Sequence, residues 1–140
     1  MTTKMYSLKW DESWSTGVKQ FDDDHKHLIG LYNDLFTACF AGQGPAVVGS
    51  IVDKLIDYAR DHFGREDELF ERLNYPDREE HIQEHDELLR HLYEIRDDLS
   101  SGVTHSISND TLEFLTNWIS THTKEQDCRY HTFFNERGII

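Results

Sequence analysis

Basic residues are scarce in this chain: 14 Lys and Arg stand against 27 Asp and Glu in 140 residues, a formal net charge of −13. That balance argues against nucleic acid and anionic membrane surfaces as partners, because both need a positive face. Cysteine is equally sparse. Cys39 and Cys128 are the only two, and neither belongs to a CxxC pair, which excludes a Cys-based zinc or iron–sulfur site and a disulfide scaffold. Both are expected to be free thiols. Cys39 lies roughly 21 Å along a helix from His25 at 1.5 Å per residue, whereas Cys128 adjoins Asp127. No apolar run approaches the ~18 residues that cross a bilayer, so no membrane insertion is expected. The N-terminal MTTKMYSLKWDESW has no apolar signal core, leaving a cytoplasmic address as the default. What is abundant is histidine, with nine.

The length suits one domain, 1–140, with a core of its own. Residues 1–20 read as an irregular arm, with Trp10, Trp14 and Gly17 packing it against the body. From Asp22 the pattern is helical: His25, Leu28, Tyr32, Leu35 and Cys39 recur at spacings of three and four. Asp22 to Asp24 place negative charge at the positive end of that helix. Gly42 and Gly44 close it, and Pro45 suits the first turn of the next. A second stripe runs Val48, Val52, Leu55, Ala59, His62, Glu66, Leu69 and stops at Tyr75-Pro76. Asp77 and Glu80 then suggest a capping arrangement. A third stripe carries His81, His85, Leu88, Leu92, Ile95 and Leu99, and ends at Gly102. After a polar loop, Ser108 or Asn109 caps a fourth helix with Thr111, Leu115, Trp118 and His122. No segment alternates with period two. The fold expected is all-α: an up-down-up-down antiparallel four-helix bundle, with helices at about 22–41, 45–72, 77–100 and 109–132 and a tail at 133–140.

In that topology the starts of odd helices and the ends of even ones share one end of the bundle. His25, His62, Glu66, His81, His85 and His122 therefore converge in one layer, each from an apolar seam. Leaving such groups buried and unpaired costs roughly 1–3 kcal/mol each, and metal ions are the efficient compensation. Asp127 follows His122 by five residues, about 140° around a regular helix. A π-type turn between Trp118 and Arg129 would bring it to the same side. Five imidazoles and two carboxylates exceed the needs of one ion. Two metals bridged by the carboxylates are implied, with iron, zinc, copper and manganese all compatible.

The strings FDDDHKHL (21–28), HFGRED (62–67), YPDREEHIQEH (75–85) and WISTHTKEQD (118–127) resemble the hemerythrins, closest to the bacterial single-domain members. The resemblance runs from Trp10 to Tyr130 and fills all seven ligand positions. Asp24 stands where the family usually has Gln, and Asp67 where a second Glu is common. Carried over, the resemblance implies two iron ions with an oxo or hydroxo bridge. His81, His85 and His122 would fill one iron. His25 and His62 would serve the other, which keeps an open position for O2, and Glu66 and Asp127 would bridge. Leu28, Phe63, Trp118 and Ile119 would exclude water around the site.

The function expected is reversible O2 binding for storage, delivery or scavenging, by a non-enzyme acting as a monomer, with O2 and an oxygen-using enzyme as partners. The alternatives are an O2 or redox sensor working through a partner, and a di-iron enzyme reducing nitric oxide or peroxide. Two rivals fail. His81-Ile-Gln-Glu84-His85 matches the H-x-x-E-H peptidase signature, but that reading makes His25, His62 and His122 coincidences. Ferritin-like oxidases use Glu-x-x-His pairs, and no Glu here is followed three residues later by His. His27, His91, His105 and His131 are assigned to the surface or to loops.

Overall fold

The computed structural model describes residues 8–140, with the backbone alone for 125–128. Four long or medium helices follow one another: α1 (Lys19–Phe40), α2 (Pro45–Leu73), α3 (Arg78–Ser101) and α4 (Asn109–Thr121). A short α5 (His131–Asn135) closes the chain, and no strand occurs among the described residues. Nor is any helix among them long and apolar enough to cross a membrane. The all-α bundle expected from the periodicity is the fold observed.

The ends are set by local chemistry. α1 begins three residues earlier than the apolar stripe suggests, because its first turn is secured from outside. The Asp22 carboxylate accepts hydrogen bonds from Thr16 N at 2.7 Å, Thr16 Oγ1 at 2.8 Å and Ser15 Oγ at 2.6 Å. The same contacts tie the arm, which contains a 3-10 turn at Glu12–Trp14, to the bundle. Pro45 occupies the first turn of α2, where its missing N–H costs nothing. α2 ends at Asn74 in the left-handed region (φ 53°), with Tyr75 N bonded back to Phe70 O at 2.9 Å. Gly102 (φ 78°) ends α3 in the same way. Ser108 Oγ accepts Thr111 N at the start of α4, as expected. Asp77 does not cap α3 with its side chain. Its φ of −97° and ψ of 19° depart from the extended geometry in which a cap carboxylate reaches the N2 and N3 amides.

The fourth run is not one helix to residue 132. After Thr121 the backbone widens into a π-helix at His122–Gln126, tightens into a 3-10 turn at Asp127–Tyr130, and resumes as α5. The widened turn was the feature required of this segment by the spacing of His122 and Asp127.

Two apolar clusters fill the bundle. The larger includes Tyr32, Leu35, Val48, Val52, Leu92 and Leu115. Tyr32 joins α1 to α4 there through its hydroxyl, which bonds Thr116 and, at 3.3 Å, the Leu112 carbonyl. The smaller is an aromatic plug of Phe21, Phe70, Tyr75, Tyr130 and Phe134 with Val18. The histidine layer lies between them. His81 packs on Phe70 at 4.7 Å between ring centres, and His85 stacks on Phe63 at 3.9 Å.

Candidate metal centre

Six of the seven expected ligands are described, and all six are buried, none more than 5% exposed. The side chain of Asp127 lies outside the described residues. The rings meet at one depth: His81 lies 4.7 Å from both His85 and His122, and His25 lies 4.6 Å from His62. Their ligand atoms form two groups that could hold a metal ion. One is Glu66, His81, His85 and His122; the other is His25, His62 and Glu66. Glu66 belongs to both.

Three of the rings are oriented by carboxylates. His62 Nδ1 donates to Asp24 Oδ2 at 2.8 Å, His85 Nδ1 to Asp67 Oδ1 at 2.9 Å, and His122 Nδ1 to Glu84 Oε2 at 2.9 Å. An ionised carboxylate only accepts, so it fixes the proton on Nδ1 and leaves Nε2 as a bare lone pair. Those lone pairs face one another. His62 Nε2 is 3.2 Å from Glu66 Oε1, and His85 Nε2 is 3.3 Å from the same oxygen and 3.2 Å from His122 Nε2. His62 Nε2 and Glu66 Oε1 are buried with no hydrogen-bond partner. Acceptors held this close in a dry interior repel unless a positive charge lies among them. A nitrogen-and-oxygen donor set with borderline-soft imidazoles suits a first-row transition metal, iron included.

The charges agree. Burial alone would push Glu66 up, but His62 and the imidazole contacts of His25, His62 and His85 outweigh it and hold this carboxyl well below its ordinary value. Burial likewise opposes ionisation of Asp24, and hydrogen bonds from His62, Arg65 and Tyr58 overcome it. Burial would lower His85, yet the negative charges of Asp67 and Glu66 beside its ring outweigh that and raise it. Tyr58 is pushed up to about 12 by burial and by its bond to Asp24. Tyr130, from the plug, donates its hydroxyl to Glu66 Oε2.

The three orienting acids follow a rule. Each stands beside a candidate ligand on its own helix and grips the ring of the next helix: Asp24 of α1 holds His62, Asp67 of α2 holds His85, and Glu84 of α3 holds His122. A neighbouring position points about 100° away, toward the adjacent helix. Asp24 is thus a buried hub rather than a surface charge at a helix end. It also accepts Tyr58 Oη at 2.9 Å, Arg65 Nη2 at 2.9 Å and Gln20 Nε2 at 2.9 Å. Glu84 is committed to His122, so it does not offer the free general base of a zinc peptidase. None of these partners, nor Tyr130, follows from seam periodicity. An acid adjoining a seam histidine or glutamate was the available signal.

The other histidines stand apart. His27 is exposed and stacks on Tyr58 at 4.1 Å, His91 packs on Phe114 at 4.2 Å, and His105 is exposed. The exposed His131 fills the space beside Gly17. Cys39 is a half-buried free thiol whose ionisation burial makes harder; Cys128 lies outside the described side chains. A small cavity of about 30 Å³ adjoins His25, His62 and His122, and Leu28, Phe63, Trp118 and Ile119 all line it.

Residues 16–133 match the family model described as the Hemerythrin HHE cation binding domain. The chain belongs to the hemerythrin family. Among hemerythrin relatives, a bacteriohemerythrin of Stenotrophomonas maltophilia (strain R551-3) is 29% identical over 90% of this chain and 80% of its own length. A bacteriohemerythrin of Methylococcus capsulatus (strain ATCC 33009 / NCIMB 11132 / Bath) is 28% identical over 90% and 95%, and a hemerythrin-like protein of Naegleria gruberi 26% over 92% and 95%. A crystal structure of wild-type hemerythrin superposes with a TM-score of 0.82 at 27% identity, covering 89% of this chain and 95% of that one.

Proposed function

We propose that this hemerythrin binds O2 reversibly at a non-haem di-iron centre, as a storage, delivery or scavenging protein. His81, His85 and His122 would serve one ion and His25 and His62 the other, with Glu66, and Asp127 just after the widened turn, serving both. The observation that carries this reading is the sharing of Glu66 by two groups of ring nitrogens. When bound, such a pair of irons supplies the two electrons that O2 takes up and gives back.

The protein's own part is positioning and exclusion. Carboxylates on Nδ1 hold three rings with Nε2 turned inward, and the Tyr130 hydroxyl steadies the Glu66 anion. The cavity meets both rings of the His25 and His62 half of the site, but only His122 of the other half and neither His81 nor His85. An uncharged diatomic therefore has space beside the group with fewer rings, behind walls that discourage water and charged products.

Iron content and cycling test the proposal. Two irons per chain and an absorption change that develops with O2 and reverses on degassing, through repeated cycles, are expected. Turnover of nitric oxide or peroxide with a reductant, without reversible O2 uptake, would make the protein an enzyme instead.

A further inference from the structure

Twelve of the fourteen residues lining the cavity are buried, and the two that are not, Leu28 and Trp118, mark its thin walls. The Trp118 wall has a second hollow behind it. A solvent-open pocket between α3 and α4 is lined by Glu84, Glu87, Phe114, Asn117, Thr121, Trp118 and His122. Trp118 and His122 line both spaces. His122 is pinned by Glu84 at 2.9 Å and is almost wholly buried. The Trp118 indole lies flat against it, 4.3 Å between centres at 15°, with Phe63 at 6.1 Å on the cavity side.

We propose that small uncharged molecules reach the cavity from the α3–α4 pocket by displacement of the Trp118 side chain, which sets the size of what passes. This rests on reading the cavity as the waiting place of the ligand. The movable part is the indole, because its contacts to His122 and Phe63 are ring against ring. The fixed part is His122, because a hydrogen bond to a carboxylate is stronger and directional. About 30 Å³ admits one or two water-sized molecules. The apolar lining and the engaged Tyr32 hydroxyl leave little for water to bond to, which favours a gas.

Xenon tests the passage without iron, because apolar cavities bind it. Exchange of xenon between solvent and the full-length protein, followed by ¹²⁹Xe NMR, is compared in wild type, Trp118→Ala, Thr121→Trp and Leu28→Ala. Trp118→Ala is expected to speed exchange on the order of tenfold, the effect of taking about 1.4 kcal/mol off a barrier. Thr121→Trp, which adds bulk at an exposed position of the outer pocket, slows it, and Leu28→Ala leaves it near wild type. If Trp118→Ala fails to fold, the Thr121→Trp and Leu28→Ala pair decides. Fast exchange in Leu28→Ala with none of the Thr121→Trp effect places the way in on the α1 side and overturns the proposal, as does xenon uptake by no variant. Failed O2 cycling with the expected xenon result would remove the O2 reading and leave the passage standing.

Discussion

Replacing Asp24 by Asn separates the charge of the hub from its shape. Four side chains donate to this carboxylate, those of His62, Arg65, Tyr58 and Gln20. Asparagine keeps one acceptor oxygen and turns the other into a donor. If the amide oxygen faces His62, that bond passes from charge-assisted to neutral, a change of about 1 kcal/mol. The amide nitrogen then opposes Tyr58 or Gln20, and their reorientation adds a similar amount. About 2 kcal/mol corresponds to roughly thirtyfold, inside the 10–100-fold range typical of partners that orient metal-binding histidines. Ferrous affinity is measured by competition with a chromophoric chelator, with Asp23→Asn as the control. Asp23 is exposed and, among the described residues, pairs with Lys19 at 2.8 Å. The expected result is weaker retention of one of the two irons in Asp24→Asn and wild-type behaviour in Asp23→Asn. Equal affinities in the two variants would refute the claim that the carboxylate sets the His62 ring for metal.

Acidification of the iron-free protein gives a second test of Asp24. Its folded value is depressed, so its stabilisation is complete above the unfolded value of about 3.9 and is lost as pH falls through the folded value. Urea midpoints should fall from pH 5 to pH 3 more steeply in wild type than in Asp24→Asn; parallel slopes count against the buried ionised hub. Tyr130→Phe removes a donor from the buried Glu66 carboxylate and should destabilise the iron-free protein by about 1.5–3 kcal/mol in denaturant titration. No loss would mean that this contact contributes nothing. Gly17→Ala meets both a φ of 77° and the His131 ring, 2.2 Å from the added Cβ. Thermal unfolding should show a loss of at least ~1–2 kcal/mol from the backbone alone. A second change, His131→Ala, should restore only the part due to the clash.

The bundle and the histidine layer were legible because both obey one period. A seam of spacings three and four marks the face each helix turns inward, and the histidines stood in those seams. His81, His85, Leu88, Leu92 and Leu99 are the buried residues of α3, and the expected seam added only the half-buried Ile95. The widened turn at His122–Gln126 was legible for a different reason, since the partner expected five residues on, Asp127, is incompatible with a regular helix. What did not show was the shell of acids behind the rings. Asp24, Asp67 and Glu84 sit one step off the seam, where an isolated helix would put them at the edge of solvent. Whether such a residue is a surface charge or a ring anchor depends on how closely the next helix approaches that edge, which no single helix encodes. Yet the three contacts obey a common geometry, each acid reaching forward to the following helix. The layer is therefore tied together in chain order, α1 to α2, α2 to α3, α3 to α4. No helix can shift along its axis without pulling an acid away from a ring. Ring depth and bundle register are thus set by the same bonds, and a sequence with acids beside the polar residues of its seams specifies both at once.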